Sequence, residues 1–141
     1  MMKVFFDSNV IIDGLSERDY NYRPSRDLLR LATNKTIRGF ITAKQITDIY
    51  YILKHYYSNE SERRNAIRII SNIFEIIPTM KSDIDYCINS KMKDLEDALI
   101  DEVCTVNCID FLVTNNIKDF KNAKSTIITP QELVTLLKIN Q

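Results

Sequence analysis

The sequence predicts an α/β domain in which helices cover both faces of a mostly parallel sheet. Short runs of β-branched and aromatic residues alternate with helical patterns along the chain, and this alternation is typical of parallel strands joined by helical crossovers. The length of 141 residues falls within the roughly 100–200 residues of one domain. A composition of 45% hydrophobic and 27% charged residues is that of a globular chain. We therefore predict a single domain over residues 1–141.

The first strand and the first two helices follow from local pattern. Residues 3–6 form a β-branched and aromatic run that ends at Asp7, and the apolar residues after the turn predict a short helix. Pro24 suits the first turn of a second helix. Residues 39–41 then predict a second strand. Asp7 is thus expected at the carboxyl end of the first strand.

Capping signals predict the next two helices. Thr42 and Gln45 have the spacing of a capping box, so a helix is expected to begin there and to run to about Tyr57. Asn59 supplies a second cap, for a helix that reaches Ile73.

A short third strand is predicted at residues 75–77, where Pro78 stops it. Two helical patterns follow, at residues 82–90 and 94–106. Both are expected to lie against the sheet.

Two strands and a helix are predicted at the end of the chain. Residues 111–114 give a strong strand signal closed by two asparagines, and residues 127–128 give a weaker one. Thr129 as N-cap, with Glu132 three residues later, predicts a final helix.

The counts of glycine, cysteine and histidine exclude several kinds of site. Two glycines are too few for a Walker loop or a dinucleotide fingerprint, which need several for close phosphate approach. Cys104 and Cys108 are one helical turn apart, but His55 is the only histidine that could complete a metal site with them. We therefore expect these thiols to pack in the core rather than to bind zinc.

The charge balance and the hydropathy pattern limit the partners. The formal net charge is zero, so net charge alone predicts no nucleic-acid partner. No apolar run approaches the roughly 18 residues of a membrane span, and Asp7 interrupts the N-terminal apolar run before a signal sequence can form. We expect a cytoplasmic protein that does not contact membranes.

Acidic side chains are expected to converge at one edge of the sheet. Asp7 and residues 114–116 follow two strands, and ligands of open α/β sheets bind outside the carboxyl ends of strands. At about 100° per residue, Asp94, Asp97 and Asp101 share one face of their helix. Like charges so close repel one another unless a cation or a proton lies between them.

All-oxygen ligands favour Mg²⁺ or Mn²⁺ over softer metals, and such ions commonly bind the phosphates of a substrate. A metal can lower the pKa of water and stabilise a leaving oxygen, so no Ser, Cys or His nucleophile is needed. Phosphodiester hydrolysis is the chemistry that this arrangement predicts.

Four segments form a set of motifs in order along about residues 3–128. Residues 3–13 spell KVFFDSNVIID, residues 42–53 carry Asp48 before an apolar run, residues 94–99 spell DLEDAL, and residues 113–120 spell VTNNIKDF. Together they resemble the PIN-domain ribonucleases. The set of four in order is far more specific than any one motif.

The resemblance implies that the catalytic acids, which would also hold Mg²⁺ or Mn²⁺, are Asp7, Asp48, Asp97 and Asp119. It implies supporting roles for Ser8, Asn9, Asp94, Thr114 and Asn116. Two positions depart from the family pattern, since Asp48 stands where Glu is usual and Asn116 where many members have Asp. Either Asp119 supplies the fourth carboxylate or the site works with three.

The resemblance also implies an overall architecture and a function. The expected fold is a three-layer α/β/α sandwich with a mostly parallel central sheet. The expected activity is that of a metal-dependent endoribonuclease, a hydrolase that cleaves single-stranded RNA. Many small proteins of this kind are toxins of toxin–antitoxin pairs, form homodimers and are neutralised by a small antitoxin protein.

Other interpretations of the same residues remain open. Asp7 and Asp94 could cap helices, and Asp48 could lie on a solvated face. A stripe of tyrosines around Tyr50 could stack on bases, or could belong to the core or a subunit interface. Three arginines at Arg63, Arg64 and Arg68 could hold phosphates or simply face solvent.

Two alternative functions come from other classes. The first is a catalytically silent PIN-like module that binds RNA or protein, suggested by the departures at Asp48 and Asn116. The second is an aspartate-dependent phosphotransfer fold, either a receiver domain or a haloacid-dehalogenase-type phosphatase. Asn9 counts against the phosphatase, which needs Asp at that position of the motif.

Overall fold

The computed structural model describes residues 1–16 and 22–139. Strands and helices alternate along the chain as the sequence predicts. In order they are β1 (Lys3–Phe6), α1 (Ser8–Ser16), α2 (Tyr22–Thr33), β2 (Arg38–Thr42), α3 (Ala43–Leu53), α4 (Glu60–Ile73), β3 (Glu75–Ile77), α5 (Lys81–Ile88), α6 (Leu95–Val106), β4 (Phe111–Val113), a 3₁₀ helix (Ile117–Phe120), β5 (Ile127–Ile128) and α7 (Pro130–Ile139).

The five strands form one sheet in the order β3-β2-β1-β4-β5, and every neighbouring pair is parallel. β1 occupies the centre, where Val4 pairs with Gly39 on one side and with Phe111 on the other. Parallel strands place all their carboxyl ends at one edge of the sheet. The residues that follow β1 and β4 therefore lie side by side.

Alternate residues of the central strands enter two separate cores. Val4 and Phe6 belong to one core, which also contains side chains of α1, α2, α3, α4 and α7. Phe5 and Leu112 belong to the other, beneath α5, α6 and the 3₁₀ helix. Side chains of a strand alternate between its faces, so helices cover the sheet on both sides. The predicted three-layer α/β/α fold is confirmed.

The predicted caps are present at the starts of α3, α4 and α7. Thr42 accepts from the Gln45 N–H at 3.4 Å, while the Gln45 side chain accepts from the Thr42 N–H at 2.7 Å. Asn59 accepts from the Ser61 N–H at 2.7 Å, and Thr129 accepts from the N–H three residues later at 3.2 Å. These side chains satisfy backbone donors that a helix start leaves without partners.

Helix α3 is shorter than predicted, since it ends at Leu53 rather than near Tyr57. Leu53 is the last fully buried side chain of the helix. Beyond it the His55 N–H donates to the Ile52 carbonyl at 3.1 Å and the Tyr56 N–H to the Leu53 carbonyl at 3.0 Å, which are tighter i to i−3 bonds. Residues 54–56 are exposed and only Tyr57 packs partly against the core again, so the regular helix ends before the chain turns toward α4.

The cysteines divide between core and surface. All three are free thiols; Cys87 on α5 and Cys104 on α6 are buried, and Cys108 is exposed. The prediction of core packing is correct for Cys104 and wrong for Cys108. Cys108 follows the end of α6 with φ of 55°, and this left-handed turn carries it out of the helix face that Cys104 buries.

Within residues 1–16 and 22–139, none of the helices is both long and apolar enough to cross a membrane.

Candidate active site

Asp7 lies directly after β1, where this strand ends beside β4. Its N–H donates to the Val113 carbonyl at 3.0 Å. Its Oδ2 accepts from the Thr114 hydroxyl at 2.7 Å and from the Asn9 amide at 3.2 Å, and its Oδ1 accepts from the Ser8 N–H at 2.8 Å. Three hydrogen bonds to its oxygens therefore hold this carboxylate in one orientation.

The loop after β4 supports Asp7 through Thr114, which is fully buried. The Thr114 hydroxyl donates to Asp7 and accepts from the Asn116 N–H at 3.0 Å. Asn116 thus contributes its backbone to the cluster. Asn115 secures the same loop from the other side, because its amide donates to Asp13 at 2.6 Å.

Asp97 is placed by the first turn of α6. Asp94 is the N-cap of this helix, and its Oδ1 accepts from the Asp97 N–H at 3.0 Å. The pKa of Asp97 is raised to about 7, first by burial and then by the negative charges of Asp94, Asp7, Asp119 and Glu96, in that order of effect. Charges from two distant segments, at Asp7 and Asp119, therefore act on this carboxylate together with those of its own helix.

The environment of Asp7 shows the same convergence. Burial is the largest cause of its raised pKa, and the hydrogen bond from Thr114 opposes that effect. The negative charges of Asp119 and Glu96 raise the pKa of Asp7 as well. Asp119 comes from the 3₁₀ helix after β4. Asp7, Asp97 and Asp119 therefore influence one another at the carboxyl edge of the sheet, and we call these three residues the acidic cluster.

Asp48 lies in a different environment. Its Oδ2 is 2.8 Å from the Nζ of Lys44, one helical turn earlier on α3, and the same Nζ is 3.1 Å from Oε1 of Glu96 on α6. The hydrogen bond to Asp48 is the main reason that the pKa of Lys44 is raised. The i,i+4 spacing of Lys44 and Asp48 is visible in the sequence, whereas the link to Glu96 depends on the fold.

Asp101 does not share the acidic face expected from helical spacing. It is buried, and its carboxylate accepts from the Lys124 N–H at 3.0 Å and from the Ser125 N–H and hydroxyl at 2.9 and 2.6 Å. The expected three-acid face is wrong in this respect, because backbone donors before β5 engage Asp101. Of the three acids, Asp94 and Asp97 remain at the start of the helix, where Glu96 lies between them.

Gln45 is a buried residue of the site whose second role the sequence does not reveal. Besides completing the capping box, its amide donates to the Phe6 carbonyl at 2.8 Å and to the Ser8 hydroxyl at 3.1 Å. These bonds tie the start of α3 to the end of β1. Gln45 therefore fixes the chain on either side of Asp7.

The tyrosines of α3 line a groove against α4. Its volume is about 580 Å³, and Tyr50, Tyr51, Arg64 and Arg68 are among its lining residues. Tyr51 is 63% exposed, so this part of the stripe is not core.

The acidic cluster has the chemistry of a site for a hard divalent cation. It offers carboxylate oxygens, the ligands that Mg²⁺ and Mn²⁺ prefer, from Asp7, Asp97 and Asp119. Asp119 raises the pKa of both other acids, and Asp7 raises that of Asp97; a bound cation would relieve this repulsion. Among residues 1–16 and 22–139, no three His, Cys, Asp or Glu side chains already surround a single ion position.

Comparison with known proteins gives consistent matches. The family model of the PIN domain matches residues 3–118. Ribonuclease VapC1 of Aquifex aeolicus (strain VF5) is 28% identical over 135 residues, which cover 92% of both chains. The residues matched by the family model include Asp7 and Asp97 but end before Asp119. The alignment with the Aquifex aeolicus relative covers nearly the full length of both chains.

Solved structures share the fold. VapBC2 from Rickettsia felis, bound to a DNA fragment from its promoter, superposes with a TM-score of 0.67 at 19% identity, over 92% of this chain and 98% of that one. A toxin–antitoxin complex from Klebsiella pneumoniae gives a TM-score of 0.65 at 23% identity, over 90% and 97% of the two chains. At these identities the likeness concerns the arrangement of strands and helices.

Proposed function

The chain belongs to the PIN-domain family, and we propose that it is an endoribonuclease that cleaves single-stranded RNA at the acidic cluster with the help of Mg²⁺ or Mn²⁺. One observation carries this proposal. Asp7, at the carboxyl end of β1, is held by Thr114 at the end of β4 at 2.7 Å, and its charge reaches Asp97 on α6, where it raises the pKa. Carboxylates arranged in this way can bind a divalent cation, and the bound cation can in turn bind the phosphate of a phosphodiester.

We assign the ligand role to Asp7 and Asp97 first, with Asp119 as the third carboxylate and Asp48 nearby. When bound, such an ion supplies positive charge to the phosphate and lowers the pKa of water. The chain itself orients the ligands. Thr114 holds Asp7, and Asp94 holds the start of the helix that carries Asp97.

The partners are proposed from the relatives. The Klebsiella pneumoniae structure is a toxin–antitoxin complex, and the Aquifex aeolicus relative is a ribonuclease. We propose that this chain is the toxin of such a pair, that it forms a homodimer, and that a small antitoxin protein neutralises it. We propose that it acts on RNA in the cytoplasm.

The test compares Asp7→Asn and Asp97→Asn with Asp85→Asn. Asp85 is exposed on α5 and pairs with Lys81 at 2.8 Å, and it is not among the charges that act on Asp7 or Asp97. Cleavage of single-stranded RNA with Mn²⁺ should fall to background in the first two variants and persist in the third. Circular dichroism should show that all three fold. Full cleavage by both cluster variants would overturn the assignment.

A catalytically silent RNA-binding module is the alternative function. It is favoured by the pairing of Asp48 with Lys44, which engages one motif acid in an ion pair. Calorimetric titration with Mn²⁺ separates the two functions. A nuclease should bind Mn²⁺ through the acidic cluster, and Asp7→Asn should abolish that binding. A silent module should bind RNA without cleaving it, and Asp7→Asn should leave its Mn²⁺ titration unchanged.

A further inference from the structure

A lysine joins two helices at the edge of the acidic cluster. Lys44 is the second residue of α3 and Glu96 the second residue of α6. The Nζ of Lys44 lies 2.8 Å from Oδ2 of Asp48 and 3.1 Å from Oε1 of Glu96. Oxygens from two helices therefore point at one cationic atom, beside a cluster that is otherwise built from acids.

The position of Lys44 is distinct from that of the central acids. Oδ2 of Asp48 is engaged by Lys44 at 2.8 Å, whereas the oxygens of Asp7 are held by Thr114, Asn9 and Ser8. Glu96 connects the two places, since it pairs with Lys44 at 3.1 Å and directly precedes Asp97 on α6. The site thus has a central position at Asp7 and Asp97 and an adjoining one at Asp48 and Glu96, and the adjoining one already contains a positive charge.

We propose that the ammonium of Lys44 takes the place of a second metal ion, so that the cluster binds a single divalent cation at Asp7 and Asp97. This inference rests on the proposed function. Asp48 then acts by holding Lys44, and Lys44 serves as the positioning group for RNA phosphate at the adjoining position. An ammonium has three donors, and the two carboxylates engage two of them, which leaves one for a phosphate oxygen.

The number of bound ions tests the inference. Calorimetric titration with Mn²⁺ alone should give one ion per chain for the native protein and for Lys44→Arg, which keeps the charge. Lys44→Met frees Asp48 and Glu96, and we expect it to bind two ions. Adding Asp48→Asn to Lys44→Met should return the number to one.

Lys81→Met is the matched control. Lys81 and Asp85 on α5 form the same i,i+4 pair at the same 2.8 Å, but they lie outside the cluster. This variant should bind one ion, as the native protein does. Two ions in the native protein, or one in Lys44→Met, would overturn the inference. No bound ion in the native protein would instead contradict the proposed function.

RNA binding in EDTA gives a second readout that does not depend on metal. Loss of one phosphate contact to a single strand lowers the slope of log K against log salt concentration by about 0.7. Lys44→Met should show this change and Lys81→Met should not. Equal slopes for the native protein and Lys44→Met would show that Lys44 has no contact with RNA. Because Lys44 is 55% exposed, its replacement is expected to leave the fold intact, and Lys44→Gln serves as a second neutral variant.

Discussion

The Thr114 hydroxyl lies 2.7 Å from Oδ2 of Asp7, although 107 residues separate the two along the chain. The contact exists because β1 and β4 are parallel neighbours whose carboxyl ends meet. It connects two of the motifs that the sequence analysis identified. It also explains why the candidate site lies at this edge of the sheet.

Thr114→Val removes this hydroxyl from a fully buried position while keeping the shape of the side chain. Asp7 and the Asn116 N–H both lose a partner, so we expect a loss of about 1–2 kcal/mol in the free energy of unfolding. RNA cleavage should fall by roughly tenfold, the effect of about 1.4 kcal/mol on a barrier. Urea unfolding and single-turnover cleavage measure the two effects. Thr114→Ser retains the hydroxyl and should recover most of the rate.

Asp97 should make the stability of the metal-free protein depend on pH. Its pKa is about 7 in the folded protein against an ordinary 3.8, so the folded state binds a proton more tightly than the unfolded chain. Stability in EDTA therefore rises as pH falls from about 7 to about 4 and is lowest above pH 7. Asp97→Asn removes the cost of the charge. Its Tm should exceed that of the native protein at pH 8 and match it near pH 4.

Thermal unfolding in EDTA across this pH range measures the effect. With Mn²⁺ at pH 8, the Tm of the native protein should exceed that of Asp97→Asn. The ion binds and stabilises the native protein but not the variant, which lacks the carboxylate. A Tm of Asp97→Asn below the native value at pH 8 in EDTA would contradict the assigned environment.

Gln45→Ala should destabilise the junction between β1 and α3. It deletes the donor to the Phe6 carbonyl and half of the capping box at Thr42. Buried polar groups left without partners cost about 1–3 kcal/mol, and urea unfolding should show a loss in that range. Thr47→Ala is the control on the same helix, since Thr47 is exposed and its hydroxyl donates to the Lys44 carbonyl of its own helix.

Asp101→Asn should lower stability without changing metal binding. The carboxylate accepts hydrogen bonds from the backbone N–H groups of Lys124 and Ser125 and from the Ser125 hydroxyl. Asn can replace only part of them, so we expect a loss of about 1–3 kcal/mol in the free energy of unfolding. Mn²⁺ titration should give the native number of ions and the native affinity. A weakened affinity would place Asp101 in the acidic cluster after all. Glu102→Gln, at the next position of α6, is the control.

Much of the fold could be predicted because its signals are local. The run at residues 3–6 predicts a strand from its own composition, and the Thr42 cap acts on a donor only three residues away. Strands alternating with helices restrict the sheet to parallel pairing, which the structure confirms. The end of α3 was predicted incorrectly because residues 54–56, directly after Leu53, are exposed, and the local pattern does not show this.

The candidate site divides in the same way. Local sequence predicted the α/β class, the caps and the motif acids Asp7 and Asp97, because each of these features depends on residues that are close together along the chain. Long-range packing set the contacts of Asp101 with Ser125 and of Lys44 on α3 with Glu96 on α6. Periodicity gives the direction of a side chain on its own helix, but its partner depends on how distant segments are packed around the sheet.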